Sequence, residues 1–279
     1  MNKKDVTVAE ATIVEGEEEE VEEVRVKLGC YGETVKLVED PSEEIMLLWG
    51  LQQPIFSKPN AFVHQSSLTL HLDAFGHSIS ILQSPSSLMT PGVTGSVMWD
   101  SGIVLGKFLE HAVDAERLLL QGRKVVELGS GCGLVGCIAA LSGAQVTLTD
   151  LPDRLRLLKK NVDANLESSD ILGSGTVSEL IWGEDPDPDI LDPLPDFGSD
   201  VIYSEEAVAD LVFTLEQLCG EHTTVILSGE LRNDAVLEYF LEAAMKEFTI
   251  GQVDQTELHP EYRSFRVVIY ILVKKDIQE

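Results

Sequence analysis

The apolar and polar positions between residues 124 and 150 fall into the order strand, glycine loop, helix, strand. Val125, Val126 and Leu128 make a short apolar run, the pattern of a parallel strand buried on both faces. Gly129, Gly131 and Gly133 break that run. Leu134 to Leu141 is apolar and helix-compatible, and Gly143 is placed to end the helix. Gln145 to Thr149 then reads as a second strand, which ends at Asp150.

The alternation continues towards the C-terminus. Pro152 to Asn165 predicts a helix with proline in its first turn. Strands follow at Thr176 to Leu180, Asp200 to Tyr203 and Thr223 to Leu227, and helices at Glu206 to Leu218 and Asp234 to Phe248. Residues 183–199, rich in proline and aspartate, read as a long loop. Ile250 to Thr256 and Phe265 to Val273 form a closing strand pair, and the last strand, with no helix before it, is expected to enter antiparallel. Upstream, Leu68, Leu70 and Leu72, then Ile79 and Ile81, alternate with polar residues on either side of Asp73-Ala-Phe-Gly76, which predicts a β-hairpin. Val24 to Val38 alternates in part, as an edge strand pair would. Asp100 is placed to cap a helix through Ile103, Val104, Leu105, Phe108 and Leu109, and Arg117 to Leu120 to finish a second short one. The fold class is therefore α/β: a Rossmann-like, doubly wound sheet of seven strands, the last antiparallel, with an N-terminal β-hairpin extension.

The glycine loop carries the chemistry. Its glycines let backbone N–H groups approach a ligand at the positive end of a helix. An acid at the end of the next strand, about 20 residues on, can accept both hydroxyls of a ribose. Gly131-x-Gly133-x-x-Gly136 also fits the dinucleotide fingerprint. Glu127, immediately before the loop, argues against a pyrophosphate and suits a cationic amino-acid ligand. The loop also starts far into the chain, where a dinucleotide domain often opens one. Ligands of open α/β sheets sit beyond the carboxyl ends of the strands, a rule that selects Gly129 to Gly133, Asp150, Trp182, Asp200 to Tyr203 and Glu230. Trp182 can cover an adenine face or pack on the core. Asp200 and Tyr203 can serve a substrate or simply begin and fill a strand.

Charge and composition narrow the partners. The formal net charge of −28 disfavours nucleic acid, whose binding rests on phosphate neutralisation, and favours cationic surfaces. Part of it lies in the acidic run Glu15 to Glu23, which reads as the end of a disordered tail over residues 1–23. No apolar run is long enough to span a membrane, and no signal peptide is visible. Cys30, Cys132, Cys137 and Cys219 lack metal-ligand spacing, so no metal is expected; as free thiols they suit a cytoplasmic or nuclear location.

Glu127-Leu-Gly-Ser-Gly-Cys-Gly133 resembles the first motif of class I S-adenosylmethionine-dependent methyltransferases. Together with Trp99-Asp100, Asp150, Trp182-Gly-Glu184, Asp200-Val-Ile-Tyr203 and Glu230-Leu-Arg232, it resembles the family-16 methyltransferases, which act on lysines of non-histone proteins. The likeness covers about residues 65–275. At the Ile103-Val-Leu105 helix and at Glu261-Tyr-Arg-Ser264 it leans towards the branch acting on valosin-containing protein, an AAA ATPase. Gly229 departs from the family, which tends to carry an aromatic there. The resemblance implies S-adenosyl-L-methionine as cofactor, lined by Trp99, Glu127, Gly129, Ser130, Gly131, Asp150, Trp182 and Ser199, with Asp200 and Tyr203 facing the incoming amine. It implies a monomer acting on a protein with an accessible lysine. It divides the chain into the tail, a β-rich extension over residues 24–98 and a methyltransferase domain over residues 99–279. A methyltransferase for a small molecule or another residue, or a scaffold that binds the cofactor without turnover, would share the fold.

Overall fold

The computed structural model describes residues 23–51, 61–89, 95–167, 170–191, 197–202, 207–231 and 234–275. In chain order the elements are β1 (Arg25–Lys27), β2 (Thr34–Leu37), α1 (Pro41–Leu51), β3 (Thr69–Ala74), β4 (His77–Leu82), α2 (Asp100–Asp114), β5 (Lys124–Glu127), α3 (Leu134–Leu141), β6 (Gln145–Asp150) and α4 (Leu155–Leu166). They continue with β7 (Ser174–Glu179), α5 (Pro188–Leu191), β8 (Phe197–Ile202), α6 (Val208–Leu218), β9 (Thr224–Glu230), α7 (Asp234–Ala244), β10 (Phe248–Gln252) and β11 (Val267–Lys274).

The main sheet has nine strands in the order β1-β2-β10-β11-β9-β8-β5-β6-β7. Seven of them form the expected doubly wound sheet. β5 pairs in parallel with β6 on one side and β8 on the other, so the chain reverses direction across the sheet at β5, the topological switch point. β11 runs antiparallel to both β9 and β10, as expected of a strand with no preceding helix. The other two strands are the edge pair of the N-terminal segment, with β2 joined to β10. β3 and β4 form the expected hairpin as a separate two-stranded sheet.

Alternation along the strands sends side chains to two faces. Val125, Ile226, Val267, Ile269 and Ile271 pack with α2, α3 and α4. Val126, Val225, Leu227, Val268, Tyr270 and Leu272 pack with α1, α6 and α7 on the other side. Both faces of the sheet are covered, which is why these strands read as continuous apolar runs. A third core joins Ile79 and Ile81 of the hairpin to Leu134, Ile138 and Leu141 of α3. Every residue of α3 is buried, because the helix lies between the sheet and the hairpin.

Several boundaries differ from the sequence expectation. Asp100 is the first residue of α2, not its cap; Trp99, extended at φ −121 and ψ 155, takes that position without a side-chain bond. The Asp100 carboxylate instead accepts from the N–H groups of Ala61, at 2.5 Å, and Phe62, at 3.1 Å. Residues 115–120 hold turns and no helix, because Arg117 and Leu118 both donate back to the carbonyl of Ala112 and wrap the end of α2. The loop after Trp182 contains the short α5, whose Ile190 is buried against the α6 side. Phe248 opens β10 rather than ending α7. The acidic tail, up to its last residue, lies outside the described residues.

Candidate active site

The crevice at the switch point is built around the glycine loop. Gly129, Gly131 and Gly133 have φ of 61, 54 and 84, the left-handed region that a side chain would strain. At Gly131 there is no space either. A Cβ would lie 3.2 Å from the Gly95 carbonyl oxygen and 3.5 Å from its Cα. Gly95 begins a strap, residues 95–99, that lies backbone to backbone on the loop.

Side chains and carbonyls hold the loop from four sides. Ser130 N–H donates to the Thr149 carbonyl at 2.9 Å, which ties the loop to the end of β6. The Asp150 carboxylate accepts from Gly131 N–H through Oδ2 and from Leu151 N–H through Oδ1, both at 2.7 Å. The buried Thr149 hydroxyl donates to the Glu127 carbonyl at 2.7 Å. Asn161 of α4 donates through Nδ2 to the Cys132 carbonyl at 2.9 Å.

Glu127 works from behind the loop. It is 5% exposed, and its Oε2 accepts from Gly136 N–H at 3.1 Å. Gly136 lies in the first turn of α3, whose cap position is Gly133, so no side chain at the cap can supply an acceptor. Glu127 supplies one from the neighbouring strand, at the positive end of the helix. Burial pushes its carboxyl up to about 8; the Ser130 hydroxyl and Gly136 N–H oppose the rise, and the Asp150 charge adds to it. Burial also raises Asp150, against the pull of Gly131 and Leu151 N–H and of Arg154.

The structure thus brings Glu127, Gly129, Ser130, Gly131 and Asp150 into one cluster and lays the segment carrying Trp99 over it. Trp182 is half-buried and packs against the apolar cluster of α6 and α7. Ser199 and Asp200 are placed by the backbone of β8, with Ser199 opposite Glu127 and Asp200 opposite Leu227. Tyr203 lies outside the described residues. The Glu230 carboxylate accepts from Arg266 at 2.9 Å, closing the end of β9 on β11. Sequence reasoning missed Gly95, Thr149 and Asn161. Asn161 had a signal: it interrupts the apolar stripe of α4 between Leu158 and Val162, yet is fully buried.

A family model described as lysine methyltransferase matches residues 82–247. The chain belongs to the lysine methyltransferase family. This methyltransferase is 39% identical over 180 residues to Protein N-lysine methyltransferase METTL21A of Mus musculus, a match covering 63% of this chain and 77% of that one. It is 32% identical over 179 residues to EEF1A lysine methyltransferase 3 of Xenopus tropicalis, covering 64% of this chain and 76% of that one. Among solved structures, the glycopeptide N-methyltransferase MtfA with S-adenosyl-L-methionine superposes with a TM-score of 0.48 at 12% identity, over 61% of this chain and 94% of that one. This chain is an S-adenosylmethionine-dependent protein-lysine methyltransferase.

The crevice fits that cofactor. The close approach of Gly95 to Gly131 holds the strap on the loop, where a side chain on Gly131 would meet the Gly95 backbone. The Asp150 carboxylate spends two of roughly four acceptor positions on the protein, so it can still accept ribose hydroxyls. No phosphate-binding cation is needed. When bound, the cofactor supplies an electrophilic methyl group on its sulfonium.

Proposed function

We propose that Gly129, Ser130, Gly131 and Asp150 hold the cofactor, with Trp99, Trp182 and Ser199 at its edges and Glu127 supporting the loop from behind. The observation that carries this reading is the convergence of Gly131 N–H, Asp150 and the Gly95 strap at the switch point of the sheet. Asp200 and Tyr203 serve the amine. Asp200 belongs to the next strand across the switch point, beside the glycine-loop strand rather than on it. A lysine ammonium has no lone pair and a pKa near 10.4, so it must lose a proton before attack. Desolvation lowers that pKa, a carboxylate orients the amine, and an aromatic face accommodates the cationic product.

The substrate is a non-histone protein presenting a lysine on a cationic surface, which the −28 net charge of this chain favours. An AAA ATPase of the valosin-containing protein type is the first candidate, from the likeness at Ile103 to Leu105 and Glu261 to Ser264. Elongation factor EEF1A is the second, from the similarity to EEF1A lysine methyltransferase 3. The enzyme acts as a monomer in the cytoplasm or nucleus. The test is transfer of a labelled methyl group to each recombinant candidate, with the labelled lysine located by mass spectrometry. Asp200→Asn and Tyr203→Phe should depress single-turnover transfer while S-adenosylhomocysteine affinity stays within about threefold; for Asp200→Asn the drop is roughly 30- to 1000-fold. Parent-like turnover of Asp200→Asn, or a loss of cofactor binding in proportion to activity, defeats the amine assignment.

A further inference from the structure

The hairpin of β3 and β4 lies outside the sheet, yet α4 treats it as a strand partner. Asn161 accepts from Leu82 N–H at 2.9 Å and donates to the Leu82 carbonyl at 3.0 Å. Asn165, one turn later, accepts from Ser80 N–H at 2.8 Å and donates to the Ser80 carbonyl at 3.0 Å. The two amides copy the backbone edge of a strand. The spacing permits it: four helical residues rise about 6 Å and two strand residues about 6.6 Å. They occupy the free edge of β4.

Only one of the two reaches further. The same Nδ2 of Asn161 that serves Leu82 also donates to the carbonyl of Cys132, between Gly131 and Gly133. From Leu82 a second polar path returns to the loop. The Gln83 side chain accepts from Met98 N–H at 2.8 Å and donates to the Ser67 carbonyl at 3.0 Å. Ser84 N–H donates to the Ser96 carbonyl at 2.7 Å. Gly95, next to Ser96, lies on Gly131, and the Cys132 thiol reaches the Gly95 carbonyl at 3.6 Å. The ring is closed: Asn161, end of β4, strap, glycine loop, Asn161.

We propose that Asn161 is a positioning residue for cofactor binding, fixing the glycine loop and, through the hairpin, the strap that lies on it. The hairpin is then part of the cofactor site. Asn165 makes the equivalent hairpin contacts and never touches the loop, so it separates this role from stability.

The experiment compares Asn161→Ala with Asn165→Ala in the full chain, by calorimetry with S-adenosylhomocysteine well below both melting temperatures and by steady-state methyl transfer. Both should lower Tm. Asn161→Ala should weaken S-adenosylhomocysteine at least about tenfold and raise KM for S-adenosylmethionine without raising KM for the protein substrate, whereas Asn165→Ala should stay within about threefold. Equal affinity losses in the two variants, or unchanged affinity in a folded Asn161→Ala, overturn the proposal. If Asn161→Ala does not fold, Asn161→Ser and Asn165→Ser are compared by the same criteria. Failure of both Asn161 variants where the Asn165 variants fold assigns Asn161 to stability and also overturns it. The proposal rests on the loop being the cofactor site; a parent protein that does not bind S-adenosylhomocysteine would defeat that reading instead.

Discussion

Replacing Glu127 by Gln should flatten the pH dependence of stability. The Glu127 carboxyl is buried, and desolvation lifts it from 4.5 to about 8. In the unfolded chain it ionises near its ordinary value. Between those two values the native protein keeps a proton that the unfolded chain has released, so stability falls as pH rises and levels off above about 8. The contribution is fully present below the unfolded value and lost as pH passes through the folded one. Its slope is at most about 1.4 kcal/mol per pH unit, with an upper bound of roughly 5 kcal/mol over the window. Glutamine keeps an oxygen for Gly136 N–H and can donate its amide to Ser130. Asp150, also raised by burial, is common to both proteins and cancels in the comparison. Thermal melts of cofactor-free parent and Glu127→Gln between pH 5 and 9 measure the difference. The variant should gain relative to the parent as pH rises, by at least about 1 kcal/mol at the alkaline end, or roughly 2–4 °C in Tm. Parallel curves would refute the buried-carboxyl argument. S-adenosylhomocysteine affinity should change less than about threefold if Glu127 acts only through the helix and loop.

Asp150→Ala should weaken S-adenosylhomocysteine about ten- to a hundredfold by calorimetry, from the loss of charged hydrogen bonds to ribose and of the bond that holds Gly131; unchanged affinity in a folded variant would show that another group reads the ribose. Asp100→Ala should cost about 1–3 kcal/mol in urea unfolding, because it leaves the N–H groups of Ala61 and Phe62 without their acceptor; a midpoint equal to the parent's would show that solvent replaces it.

The sequence made the doubly wound sheet readable because β5, β9 and β11 are buried on both faces, and burial on both faces writes itself as unbroken apolar runs. The glycine loop was readable for a different reason: positive φ at Gly129, Gly131 and Gly133 restricts residue type. What could not be read were contacts between distant segments. Asp100 has the residue type and position of a helix cap, and local pattern cannot reveal that its carboxylate is taken by Ala61 and Phe62. Glu127 looked like a ligand contact because its charge suits the cofactor. Only the third dimension brings Gly136 N–H to its carboxylate. The edge pair of β1 and β2 was visible as alternation, but its partner, β10, was not.

That partner has a consequence for how the chain is made. Leu37 finds its place beside Gly251, so the sheet joins two segments more than 200 residues apart, the first translated well before the second. At ribosomal speeds of about 5–20 residues per second, β2 waits roughly 10–40 s for its neighbour to be synthesised. During that interval Val35, fully buried in the finished protein, has β1 beside it but lacks the Gly251 backbone of β10 that it packs on. The edge pair can therefore dock on the sheet only after β10 has been made, although β1 and β2 precede every other described strand.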